Sequence, residues 1–131
     1  MQVYILKESN SDSRVAASPD TVKKMTDWGL NVVIQDNAGL NSNFFNEDYV
    51  KSGATISNSI TDISKSDLIL KINKPNDDEI ALMNDGSIMI ASLDPYNNSE
   101  TLNKLKDKGV TSFAMELMPR ITRAQSMDIL S

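Results

Sequence analysis

The sequence predicts an open, doubly wound, mostly parallel α/β sheet of the flavodoxin-like or Rossmann-like three-layer type. Three observations predict it. Apolar β-forming runs alternate with stretches of helical periodicity along the chain. Runs such as Leu-Ile-Leu-Lys-Ile at 68–72 lack the polar alternation of a sheet with one wet face. Capping residues, glycines and prolines mark each change of element. Right-handed crossovers between such strands would bury both faces of one sheet.

Residues 3–6 are the first strand and 7–13 a polar loop. Ser18-Pro19-Asp20 starts a helix, with Ser18 as N-cap, Pro19 at the first helical position and Asp20 near the positive end of the dipole. Val22, Met25 and Trp28 give that helix an apolar stripe, and Gly29 supplies a left-handed C-terminal residue. The second strand is 31–35, and the turn 36–39 follows. Asn46 is read as the cap of a short helix through Val50 that Gly53 closes, before a brief strand at 54–56.

The continuous apolar strand 68–72 leads through Asn73-Lys74-Pro75 to a helix over 77–83, where Asp77, Asp78 and Glu79 compensate the helix dipole. Asn84-Asp85-Gly86 turns into a strand at 87–92. After a loop at 94–98, Ser99 is expected to cap a helix carrying Leu102 and Leu105, Gly109 ends it, and 110–115 is the last strand. No internal repeat, low-complexity tract or dividing linker appears, so residues 1–131 read as one domain.

Composition narrows the function classes. A domain of 131 residues buries roughly two thirds of the surface its unfolded chain exposes, enough for a core. Hydrophobic residues are 40% and charged residues 24% of the chain, ordinary globular usage, and no apolar run is long enough to cross a bilayer. The first residues carry no basic region or cleavage site, which argues against export. A net charge of -5 argues against a polyanionic partner such as nucleic acid. With no cysteine and no histidine, disulfide and thiolate chemistry are excluded, and the commonest general base and metal ligand are both missing. No metal site is read, since the 77–79 acids have no third oxygen ligand nearby in sequence.

An open parallel sheet binds ligands at the carboxyl ends of its strands. Those ends carry Lys7 and Glu8, residues 71–74, Leu93 and Asp94, and residues 116–120. Lys71 and Lys74 could join Arg14 in an anion site; the plainer expectation is two lysines facing solvent and a surface arginine packed along its stem. Residues 116–131 concentrate two arginines, a glutamine and an aspartate in one strand-to-helix turn. From spacing alone Thr122 and Gln125 form a capping box, Ala124, Met127 and Leu130 a buried stripe, and Asp128 an exposed carboxylate.

The segment Met118-Pro119-Arg120-Ile121-Thr122-Arg123-Ala124-Gln125-Ser126-Met127-Asp128 resembles the loop that contacts the nicotinamide in the NAD-binding subunit of proton-translocating NAD(P) transhydrogenases, relatives of alanine dehydrogenase. The resemblance extends at lower density through Lys7-Glu8, residues 14–19, 67–72 and 78–82, and Ala114-Met115. It implies that Arg120 hydrogen-bonds the nicotinamide amide of NAD(H), with Asp128 and Ser131 in the same site. It implies that Gln125, the catalytic candidate, reaches the NADP(H) held by a partner domain. Arg123 matches with no assigned contact. The implied partners are a downstream Rossmann domain of the alpha subunit, an NADP(H)-binding beta subunit and a membrane domain. The implied state is a homodimer of the full subunit on the cytoplasmic side of the inner membrane. The fragment alone is expected to be inactive.

Two further functions compete. In alanine dehydrogenases the arginine matching Arg14 holds the substrate carboxylate, but the lysine and histidine those enzymes also need fall here on Asn73 and Asp94. A non-catalytic flavodoxin-like binding module is the other, though residues 7–8 offer neither the paired acids of a phosphoacceptor nor a phosphate loop. A glycine-rich dinucleotide cradle is also missing, because Gly29, Gly39, Gly53, Gly86 and Gly109 lie far apart.

Overall fold

In the computed structural model, which describes residues 1–115, six strands form one parallel sheet. The strands are β1 (Gln2–Ile5), β2 (Asn31–Gln35), β3 (Thr55–Ser57), β4 (Leu68–Leu70), β5 (Ile88–Ala91) and β6 (Thr111–Ala114). The helices are α1 (Pro19–Asp27), α2 (Asn46–Lys51), α3 (Asp77–Ala81) and α4 (Ser99–Asp107). Two short 3-10 segments, Leu40–Ser42 and Ile60–Lys65, were not foreseen from the sequence; the second carries the crossover from β3 to β4. The strand order β3-β2-β1-β4-β5-β6 is the Rossmann alternative of the two doubly wound types.

Adjacent residues of each central strand enter opposite cores, which explains the lack of polar alternation. Val3, Ile5, Val32, Ile34 and Leu70 pack with Val22, Met25 and Tyr49 on one face. Tyr4, Val33, Ile69 and Met89 pack with Ile63, Ile80, Met83 and Leu105 on the other. Paired register such as Tyr4 beside both Val33 and Ile69 keeps each set on its own side. Tyr4 is wholly buried, and its hydroxyl is accommodated by donating to Ser57 Oγ at 3.0 Å.

Several local expectations need correction. Ser18 caps α1 as read, accepting from the Thr21 amide at 3.3 Å, and Gly29 has φ 88°. Trp28, however, is the C-cap, just past the last helical residue Asp27, and is 67% exposed. Asn46 does not cap α2. It is the first helical residue, and its side chain reaches back to the turn after β2, accepting from the Asn37 amide at 3.0 Å and donating to Asp36 at 2.7 Å. Ser99 is likewise the first residue of α4, not its cap. Helix α3 ends at Ala81 instead of 83, and it is Asn76 that caps it, accepting from the Glu79 amide at 2.8 Å while Glu79 accepts from the Asn76 amide at 2.8 Å.

Candidate functional site at the carboxyl rim

The chain leaves β1 on one side to build β2 and β3, then crosses back to β4 on the other, so the switch point lies between β1 and β4. Residues just after these two strands therefore line the crevice where a ligand of this fold is expected. Glu8 organises it. It is 5% exposed, and its carboxylate accepts from the Ile72 amide at 2.9 Å, the Asn73 amide at 3.1 Å and Asn73 Nδ2 at 3.0 Å. One acid from the β1 loop thereby ties down the backbone at the end of β4, whose amides no further strand can reach.

Asn73 then passes the connection on, donating through Nδ2 to Asp12 Oδ2 at 2.8 Å. Asp12 in turn holds Arg14: Nε donates to Oδ1 at 3.0 Å, the terminal nitrogen to Oδ2 at 2.8 Å, and the Arg14 amide to Oδ1 at 2.9 Å. The Arg14 hydrogen bonds, followed by that from Asn73, hold the Asp12 carboxyl well below the usual carboxylate range, although its partial burial opposes this. The same pairing raises the Arg14 guanidinium. The four side chains form one polar chain from the buried carboxylate to the rim.

Lys71 points elsewhere. Its ammonium is buried, 2.9 Å from Glu79, so it neither faces solvent nor joins Arg14. Glu79 is correspondingly more than dipole compensation for α3: it neutralises Lys71 while closing the Asn76 capping box. This pair lines an open cleft of about 440 Å³ with Lys7, Glu8, Gln35 and Asn76. Lys74 donates to Asn98 Oδ1 at 3.0 Å, bridging the rim loops after β4 and β5. Asp94 adopts φ 43°, and its carbonyl accepts from the Asn97 and Asn98 amides at 3.0 Å each. A larger open groove of about 670 Å³ runs along α1 beside Phe44, walled by helix side chains and not by strand ends.

Of the residues singled out from the sequence, Arg14 is thus at the rim, with its fork filled by Asp12. Arg120, Gln125, Asp128 and Ser131 lie outside the described residues. Sequence patterns assigned no role to Glu8 or Asp12. The two-residue spacing of Asp12 and Arg14 is the one local signal that could have found their pairing; nothing local signals that Glu8 meets residues 64 and 65 positions away. Between β1 and α1, residues 6–18 contain no glycine, so no phosphate cradle forms there. Among the described residues no cluster of acids is placed to hold a metal ion, and no helix is long and apolar enough to cross a membrane.

A parallel sheet in Rossmann order, with a polar network gathered at the switch point, defines a doubly wound α/β domain. Within that class the chain belongs to the family described as "Alanine dehydrogenase/PNT, N-terminal domain", which residues 4–131 match. It is 36% identical over 138 aligned residues to an NAD(P) transhydrogenase alpha-subunit polypeptide of Rhodospirillum rubrum, a match covering the whole chain and 36% of that polypeptide. The crystal structure of transhydrogenase from Sinorhizobium meliloti superposes with a TM-score of 0.89 at 44% identity, covering 98% of this chain and 39% of that one. An L-alanine dehydrogenase structure superposes with a TM-score of 0.82 at 29% identity, covering 87% of this chain and 32% of that one. The chain therefore spans about a third of the length of these relatives.

Proposed function

We propose that this chain is the N-terminal portion of the NAD(H)-binding subunit of a proton-translocating NAD(P)+ transhydrogenase and helps to position the nicotinamide of NADH for direct hydride transfer to NADP+. The observation that carries the reading is the likeness to the S. meliloti transhydrogenase across nearly the whole chain, at 44% identity. In this reading Arg120 donates to the nicotinamide carboxamide oxygen, Asp128 accepts from its NH2, and Ser131 completes the contact. Gln125 reaches toward the NADP(H) of a partner domain, so that the two rings meet. Hydride transfer consumes no protein proton, which suits a chain without histidine. The pyrophosphate would rest on a downstream Rossmann domain, and a beta subunit and membrane domain would supply NADP(H) and the proton path. The full subunit would act as a dimer at the cytoplasmic side of the inner membrane, and the 131 residues alone would not turn over.

Alanine dehydrogenase is the second reading, favoured by the other structural likeness. Two features oppose it. The positions that need lysine and histidine carry Asn73 and Asp94, and the Asn73 side-chain amide is already engaged by Glu8 and Asp12. An aspartate near a 2-oxo acid would repel it. Exchanging this chain for the matching third of the R. rubrum subunit tests both readings. The chimera, assembled with its partner subunits, is expected to reduce NADP+ with NADH and to leave pyruvate and ammonia unreacted. A folded chimera that aminates pyruvate, or binds NADH without transferring hydride, would overturn the proposal.

A further inference from the structure

We propose that Asp12 decides what the Nε-side fork of Arg14 can hold: it fills that edge of the guanidinium from within the chain and so keeps small carboxylates and oxoanions off it. Arg14 is the more exposed partner, its side chain 63% accessible against 15% for Asp12. An exposed guanidinium beside the switch point of an open parallel sheet would ordinarily be a ready carboxylate receptor, because its paired N–H groups match two oxygens. Here Nε and one terminal nitrogen are both spent on Asp12, two residues away, with the Arg14 amide making a third bond to the same carboxylate.

An external anion seeking the same fork must displace Asp12, and the displacement is costly on three counts. Asp12 would give up all its Arg14 donors. Asn73 Nδ2 would lose an acceptor, keeping only Glu8 Oε1. The released carboxylate would remain beside the incoming negative charge, and Glu8, which already acts on Arg14 through space, would add to the repulsion. A tethered carboxylate also competes at the effective concentration of a very short linker, roughly millimolar or higher, which a free ligand of similar chemistry does not match. The groups facing the fork are thus Asp12 and Asn73, with Glu8 behind them, and two of the three are acids. The rim is built to exclude small anions from the Nε-side fork of Arg14, leaving only the N–H groups that Asp12 does not engage, on a side chain 63% accessible, where water competes for them.

The test is binding of oxalate and of sulfate to the whole chain at constant ionic strength, followed by calorimetry in every variant and by the Nε–H resonance wherever Arg14 is present. The wild-type chain is expected to show no saturable shift of that resonance up to about 1 mM, the range in which the tethered group outcompetes a free anion of similar chemistry. Asp12→Ala is expected to bind oxalate at least roughly tenfold more tightly than any wild-type interaction, and Asp12→Ala/Arg14→Gln to lose that gain. Should Asp12→Ala not fold, Asp12→Asn, which keeps an acceptor for the Arg14 amide but removes the charge, is expected to show a smaller gain of the same kind. A saturable Nε–H shift in the wild type over that range, a folded Asp12 variant with no gain, or a gain that survives loss of Arg14 would each overturn the proposal. Because binding is read directly and no hydride moves, the outcome is independent of the transhydrogenase reading.

Discussion

Glu8→Ala removes in one step the acceptor of three N–H groups: the Ile72 amide, the Asn73 amide and Asn73 Nδ2. Their fates differ. Asn73 Nδ2 keeps Asp12 at 2.8 Å. The Asn73 amide is part-buried, and water can replace the lost carboxylate. The Ile72 amide is in a residue only 4% exposed, so it is orphaned. A buried donor left unsatisfied costs about 1–3 kcal/mol, and a hydrogen bond to a charged group contributes about 1.5–3. Relief from burying a carboxylate offsets part of this, so the net loss is about 2–4 kcal/mol. With a urea slope of about 1–3 kcal/mol per M, the unfolding midpoint should fall by roughly 1–2 M. Glu8→Gln retains the shape and one oxygen, but turns an NH2 toward a donor, and should lose about half as much. Equilibrium urea unfolding, followed by tryptophan fluorescence and circular dichroism in parallel, measures both. A Glu8→Ala midpoint within about 0.2 M of wild type at unchanged slope would refute the role given to this carboxylate.

Gly39→Ala should destabilise by about 1–3 kcal/mol through overpacking, since a Cβ there would lie 2.6 Å from the Tyr49 hydroxyl and 2.9 Å from Phe44 Cβ; thermal unfolding reads the loss. Tyr49→Phe should cost about 1–3 kcal/mol in the same assay, because the buried hydroxyl donates to the Ala17 carbonyl at 2.8 Å and its removal leaves that oxygen unpaired. Asp12 should titrate below the ordinary carboxylate midpoint of about 3.9 when followed by carboxyl carbon NMR, and Arg14→Gln should raise its midpoint toward that value. Since its folded pKa is depressed, the stabilisation from this pair is fully present above the unfolded pKa and is lost only as pH falls through the depressed one. A midpoint at the ordinary value in the wild type would contradict the bidentate pairing.

The fold was legible where local chemistry decides. Ser18-Pro19-Asp20 started α1, Gly29 and Gly109 closed helices with positive φ, and the unbroken apolar strands declared a sheet covered on both sides. Errors fell where a side chain chose a distant partner over the local one. Asn46 and Ser99 have the composition of caps, but Asn46 answers the turn after β2, and at α4 it is Asn98 that stands at the boundary, its side-chain amide donating to the Leu93 carbonyl. Trp28 kept the helical period yet sits past the last turn, where nothing covers it. Lys7, Glu8, residues 71–74, Leu93 and Asp94 follow their strands as read, whereas the wiring among them was not legible, because Glu8 to Asn73 and Lys71 to Glu79 are tertiary pairings with no periodic signature. The Lys71–Glu79 pair shows the limit well: a charge run that suits a helix dipole contained one acid with a second, buried task.

The most direct measurement of the proposed role compares hydride transfer with cofactor affinity in Gln125→Asn, made in the R. rubrum chimera assembled with its partner subunits. A side chain that sets the approach of the second nicotinamide should matter after NADH is bound, and a misplacement of about 1 Å can cost on the order of 100-fold in rate. Rapid-mixing transfer from NADH to NADP+ is predicted to slow by roughly 10- to 100-fold while the equilibrium Kd for NADH changes by less than about twofold. Equal losses in transfer and in NADH binding, or no change in transfer, would contradict it.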